Sequence, residues 1–234
     1  MTYLRIRSAV LGLALGTAAA CAQTGFPFQD ESLRYTVNWP SGLSLGDATF
    51  TARKTSSGWS LDASLEAAVP GFAISDKYHS SATPELCSIE FERTTSHGAK
   101  KTREKTTFDQ HKLKAHRVTV LPANGGETDF DIPACARDAL AFVYFARREM
   151  GQGRVAPGQK IYFGSEYGFS MQYTGAMEIT VGDKRSLTDH VLVSVKGPKS
   201  NVSFEIFFAR DAARTPLLIK VPLSIGAIGI ELVR

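Results

Sequence analysis

Gly42-Leu-Ser-Leu-Gly46 has the Gly-x-Ser-x-Gly spacing with which serine hydrolases present a nucleophile on a strained turn. That chemistry needs a strand before the serine and a helix after it, so that the hydroxyl projects above a sheet. Downstream of Ser44, however, Ala48, Phe50 and Ala52 alternate with polar residues, which is the period of a strand. Ser44 is therefore expected in a turn or a glycine-marked bulge. The histidines His79, His97, His111, His116 and His190 never fall in His-x-His or His-Glu-x-x-His spacing, so no metal site is expected and no cofactor is implied. Glycoside hydrolysis would require two acids in one cleft, and nothing local brings a pair together. Asp138, Asp211, Arg210 and Arg214 are expected to act structurally as ion pairs, with Asp211 accepting backbone hydrogen bonds in a turn before Pro216. No catalytic residue is assigned, and a non-enzymatic role is expected.

Residues suited to binding are easier to find. The segment from Arg93 to Arg117 is rich in Lys and Arg, and on a hairpin strand Lys101, Arg103 and Lys105 point the same way. Such a cationic strip suits phosphate headgroups, an anionic glycan or the acidic surface of another envelope protein. A solvated edge hairpin, protected by its lysines from pairing with other strands, has the same pattern. Aromatic residues make up 10% of the chain and recur across many segments, with Trp39 and Trp59 early and Tyr144 on the one helical stretch. If a sheet carrying them curls, they line an apolar groove for a lipid-like ligand, apolar or amphipathic, which the helix fills or gates.

The elements that must position these residues are nearly all strands. In Leu33 to Trp39 the odd positions are apolar, and in Trp59 to Ala67 the alternation is strict. Further strands are expected over Leu43–Ala52, Phe72–Ser80, Leu86–Arg93, Lys100–Phe108, Lys112–Leu121 and Glu127–Ile132, with Thr94 to Gly98 as a polar tip. After the helix come Lys160–Phe163, Phe169–Tyr173, Met177–Val181, His190–Lys196 and Val202–Ala209, then two closing strands around Pro222 to Gly226. The helix runs from Asp138, a capping acid, to Met150. Leu140, Phe142, Val143, Tyr144 and Phe145 form its apolar stripe, Arg147 and Arg148 lie in its last turn, and Gly151 stops it. A dozen or more strands exceed what an open twisted sheet carries without curling. The expected fold class is all-β: an antiparallel barrel-like or half-barrel curved sheet with one packed α-helix.

Arg5 and Arg7, the apolar run Ala9 to Gly16 and the small residues Ala18 to Ala22 read as an export signal over residues 1–22, leaving one β-rich domain over 23–234. The apolar run is shorter than the roughly 20 residues of a membrane span, so no transmembrane segment is expected in the mature chain. Cleavage after Ala22 discards Cys21, whereas cleavage after Ala20 leaves it as a lipid attachment point. The expected address is the periplasm or the periplasmic face of the outer membrane. Setting aside Arg5 and Arg7 reduces 27 basic residues to 25, against 23 acidic, which is not the balance of a nucleic-acid binder. Cys87 and Cys135 remain as an even pair, expected as a disulfide in an oxidising compartment, the alternative being two buried thiols.

The exported leader is followed by Tyr35 to Trp39, Gly46-Asp-Ala-Thr-Phe50, Phe108-Asp109, Cys135-Ala-Arg-Asp-Ala-Leu-Ala-Phe142 and Ala209-Arg-Asp-Ala-Ala-Arg-Thr-Pro216. This succession resembles the bacterial family of exported proteins catalogued as domain of unknown function 3108, over nearly the whole mature chain. The resemblance implies an envelope β-rich fold with no established activity and no catalytic residues to carry over.

Overall fold

A computed structural model of the protein describes residues 25–69, 72–198, 200–223 and 226–233. The leader expected over 1–22, with Cys21, lies outside the described residues. Eight strands precede the helix as a meander: β1 (Glu31–Asn38), β2 (Ser44–Thr55), β3 (Gly58–Val69), β4 (Phe72–Ala82), β5 (Ser88–His97), β6 (Lys100–Asp109), β7 (Lys114–Leu121) and β8 (Glu127–Asp131). A two-residue strand β9 (Arg137–Asp138) leads into α1 (Ala139–Gly151). Beyond it lie β10 (Gln159–Tyr162), β11 (Glu166–Val181), β12 (Lys184–Gly197), β13 (Ser200–Ala209), β14 (Pro216–Leu223) and β15 (Gly226–Leu232).

Among the described residues the strands form one open sheet of 15 in the order β8-β7-β6-β5-β4-β3-β2-β1-β15-β14-β13-β12-β11-β10-β9. Strands that follow one another through short turns pair antiparallel, and so do β1 and β15 from the two ends of the chain. The exception is the parallel pair β9–β10, whose connection is α1 itself. The two halves of the chain join where β1 pairs with β15, Tyr35 opposite Leu232 and Val37 opposite Ile230.

The sheet curls until its β9 end reaches the start of β5. There the Ser88 amide donates to the Ala136 carbonyl at 2.9 Å. The Gln110 side chain donates to the Ser88 and Ala136 carbonyls at 2.6 and 3.1 Å and accepts from the Ala136 amide at 3.1 Å. Cys87 and Cys135 form the expected disulfide beside this seam, with Cα atoms 4.6 Å apart. The sheet is thus open as a ladder yet clasped by side chains and sulfur.

Inside the curl, alternation sets which residues face the core. Leu33 lies opposite Phe50, Phe50 opposite Ala63 and Ala63 opposite Tyr78, so one row crosses four strands. The helix presses its stripe into this concavity, with Leu140, Phe142, Tyr144 and Phe145 buried. Phe26, from the segment ahead of β1, is fully buried between Trp59 and Tyr144, with both ring centroids 4.9 Å away. Gly46 sits where β2 approaches β3 most closely: a Cβ there would lie 1.9 Å from the Glu66 carbonyl oxygen.

Several expectations are corrected. Phe169–Tyr173 and Met177–Val181 are one strand, β11, interrupted only by a register shift between Tyr173 and Gly175, because β12 pairs along both parts. Thr94 to His97 is strand, held by β4 and β6 on either side, and the turn is confined to Gly98 and Ala99. Of the two arginines expected to serve the dipole in the last turn, Arg148 lies there, whereas Arg147 is 2% exposed.

Candidate functional site

The site grows from the contact between α1 and the concave sheet. Its N-terminus is anchored by Asp138, fully buried, which caps the helix through one oxygen: Oδ1 accepts from the Leu140 and Ala141 amides at 2.8 and 2.9 Å. Oδ2 accepts from the hydroxyls of Ser80 at 2.6 Å and Ser88 at 2.5 Å, so β4 and β5 hold the helix start. Burial pushes the Asp138 carboxyl above its usual range, against the opposing pull of these four donors.

The other end is anchored by Arg147. Its Nη1 and Nη2 donate to the Glu31 carboxylate at 2.6 and 2.8 Å, and its Nε donates to the Ala213 and Arg214 carbonyls, each at 3.2 Å. Burial opposes the charge on Arg147, but the hydrogen bonds and charge of Glu31 outweigh it and raise its pKa. Arg148 reaches the Pro84 and Glu85 carbonyls at 3.0 and 3.1 Å. The helix is therefore held at both termini while its middle is free to face the sheet.

There the packing is incomplete. A cavity of about 190 Å³ lies between α1 and strands β1, β2, β11, β13 and β14. Leu33, Phe50, Met171, Phe204 and Ile219 line it from the sheet, and Val143 and Ala146 from the helix. Val143, flanked in sequence by buried Phe142 and Tyr144, is itself only half-buried because it adjoins this void. The few polar groups in the wall are engaged elsewhere or turned away. Each nitrogen of Arg147 is hydrogen-bonded as described, and the Tyr35 hydroxyl donates to the Pro216 carbonyl at 3.0 Å. Burial raises the pKa of both Tyr35 and Tyr144. The Tyr144 hydroxyl carries essentially no accessible surface and has no hydrogen-bond partner among the described residues. Such a wall offers dispersion contact and hydrophobic burial, with no acid and base paired for proton transfer.

Of the residues expected to contact a ligand, Tyr144 lines this cavity. Trp59 is buried in the core against Phe26, and Trp39 is half-buried in the turn after β1, where its carbonyl accepts from the Gly42 amide at 2.8 Å. Lys101, Arg103 and Lys105 share a face of β6 opposite to that of buried Thr106 and Phe108, hence on the outside of the curl. Two of the three meet acids from β5: Arg103 bonds Glu92 at 3.1 Å, and Lys105 lies 2.7 Å from Glu90 and 3.6 Å from Glu92. Lys101 lies opposite Ser96.

The remaining chemical candidates are structural. Ser44 opens β2 next to a register shift and is followed by strand, so no nucleophile elbow exists. His79 pairs with Asp62, His97 with Asp76 and His116 with Asp129, each at 2.8 Å, and His190 with Glu205 at 2.9 Å. Among the described residues no group of three or more His, Cys, Asp or Glu could hold a metal ion. Arg210 and Arg214 pair with Asp189, not with Asp138 or Asp211. Asp211 instead accepts from the Thr215 amide and hydroxyl at 3.1 and 2.9 Å, closing the turn before β14.

A family model described as "Protein of unknown function (DUF3108)" matches residues 34–233. The chain belongs to the DUF3108 family. The match runs from within β1 to the end of the described chain, so it takes in the helix, the seam and every cavity-lining residue except Leu33. Among solved structures, this DUF3108 chain is similar to a β-barrel-like protein of the domain of unknown function DUF1849 from Brucella abortus. The two share 9% identity with a TM-score of 0.60, over 87% of this chain and 95% of that one. At that identity the likeness concerns the fold. No curated protein matches the chain. Among the described residues no helix is long and apolar enough to cross a membrane.

Sequence reasoning overlooked Glu31, Phe26, Ser80 and Ser88. For Glu31 a signal existed: it continues the odd-numbered face of Leu33, Tyr35 and Val37, and a carboxylate in phase with a buried face requires a cationic partner. The serines gave none, since a hydroxyl suits either face of a strand.

Proposed function

We propose that this protein is a non-enzymatic, exported component of the cell envelope that takes the apolar part of a lipid-like molecule between α1 and the concave sheet. The observation that carries this reading is the hydrocarbon-lined cavity whose two walls come from different elements, helix and sheet. Binding pockets are largely apolar and lie where elements meet, and a void left in a well-packed core is costly unless something occupies it. The envelope address is supported by the leader of Arg5, Arg7 and the apolar run that follows, and by the Cys87–Cys135 disulfide, which persists in oxidising compartments.

The test is to express the full chain with its leader in a bacterial host, recover it from the envelope fraction, and compare it before and after lipid extraction by native mass spectrometry and thermal unfolding. A bound species of lipid mass is expected. Its removal should lower the unfolding midpoint, and saturating added lipid should restore it, because a ligand that binds only the folded state stabilises that state. A protein whose mass and midpoint are the same with and without lipid would contradict the reading, and recovery solely from the cytoplasm would contradict the address.

A further inference from the structure

Resting on that reading, we infer that the site takes a single hydrocarbon chain, tail first, from a one-chain amphiphile such as a free fatty acid or a monoacyl lipid. Volume limits the occupant. An apolar cavity of about 150 Å³ holds one benzene, so the present one of about 190 Å³ admits the last six to eight carbons, roughly, of one chain. A second chain finds no room, because Phe142 and Phe169 close part of the wall with centroids 4.3 Å apart.

Polarity sets the direction. A headgroup inside the cavity would exchange water for hydrocarbon, which is unfavourable unless a hydrogen-bond partner replaces the water. The polar groups that could offset that cost already have partners: each nitrogen of Arg147 is bonded, with Glu31 taking both terminal ones, and the Tyr35 hydroxyl is bonded. The Tyr144 hydroxyl is not presented to the void. The chain end therefore enters and the head stays outside, with partly exposed Leu33, Phe50 and Ile219 in contact with the stem.

Four probes and two variants test this on the delipidated full chain by titration calorimetry. Dodecanoic acid and its methyl ester should bind at one per protein with affinities within about threefold of each other, since the head makes no contact. Dodecanedioic acid, which carries a carboxylate at both ends, should bind at least tenfold more weakly, as should a didodecanoyl phosphatidylcholine. Val143→Phe, which fills the void from the helix, should weaken dodecanoic acid at least tenfold while the ligand-free midpoint is kept or raised. Ile219→Phe does the same from the sheet if the helix variant fails to fold. A diacid that binds as tightly as the monoacid overturns tail-first entry, and a diacyl lipid that binds as tightly overturns the single-chain inference, while both leave the lipid reading standing. No binding by any probe overturns the lipid reading itself.

Discussion

At the scale of single residues, two buried charged groups decide how α1 sits. Asp138 carries the helix cap and two serine hydroxyls on one carboxylate, so Asp138→Ala removes the cap and the acceptor to which both hydroxyls donate. It should cost roughly 2–4 kcal/mol in chemical denaturation. The pH dependence has a definite sign. Because the folded pKa of Asp138 lies above its unfolded value, the folded state holds the extra proton, and the stabilisation that this gives is present at low pH and fades as pH rises through the folded pKa. The stability gap between wild type and Asp138→Asn should therefore narrow as pH is raised from the ordinary aspartate range, and a gap that widens would contradict the burial argument. Glu31→Ala leaves Arg147 charged and buried without its partner, and should cost about 3–5 kcal/mol, read as a fall in the denaturant midpoint. The capping role of Asp138 was legible from its place before an apolar run. The inward turn of Arg147 was not, because an arginine in a last turn ordinarily serves the helix dipole, and only the strand across from it shows where the counter-charge lies.

At the scale of elements, the helix is held at its ends and under-packed in its middle, the arrangement of a cover over a pocket. The clasp at the seam is the Cys87–Cys135 disulfide, closing a separation of 48 residues. On the chain-entropy account that loop is worth about 4 kcal/mol. Cys87→Ser with Cys135→Ser should thus lower the midpoint by roughly 8–16 °C for a chain of this size, measured by calorimetry. Hairpins were legible wherever alternation ran between turn residues, which is why the opening meander was anticipated nearly strand for strand. Two breaks were misplaced for one reason: Gly175 in β11 and the polar run Thr94 to His97 in β5 lack the apolar alternation that marks a strand, but have a partner strand on each flank or a bulge to absorb them. The β6 strip illustrates the same dependence on neighbours. Its cations repeat at strand period, but Glu90 and Glu92 come from a different strand, so Arg103→Ala is expected to leave the midpoint within error of wild type in a melting experiment.

At the scale of the whole molecule, stability is distributed unevenly along the open sheet. Strand β8 has four of its five residues exposed, whereas β3, with Trp59, Leu61 and Ala63, and β12, with Val191 and Val193, contribute central buried rows. Amide exchange is expected to release β8 and β7 first and the centres of β3 and β12 last, and uniform exchange across the sheet would count against that gradient. The class of the fold, the helix α1, the partnership of Cys87 with Cys135 and the structural reading of Ser44 followed from the sequence alone, because periodicity, capping and turn chemistry act over a few residues and are written locally. The closure of the sheet onto β5, the Glu31–Arg147 pair and the cavity beside Val143 were decided only by the tertiary structure. Each depends on side chains separated by dozens to more than a hundred positions, and how far a sheet curls is a property of accumulated twist and packing that no short stretch of chain specifies.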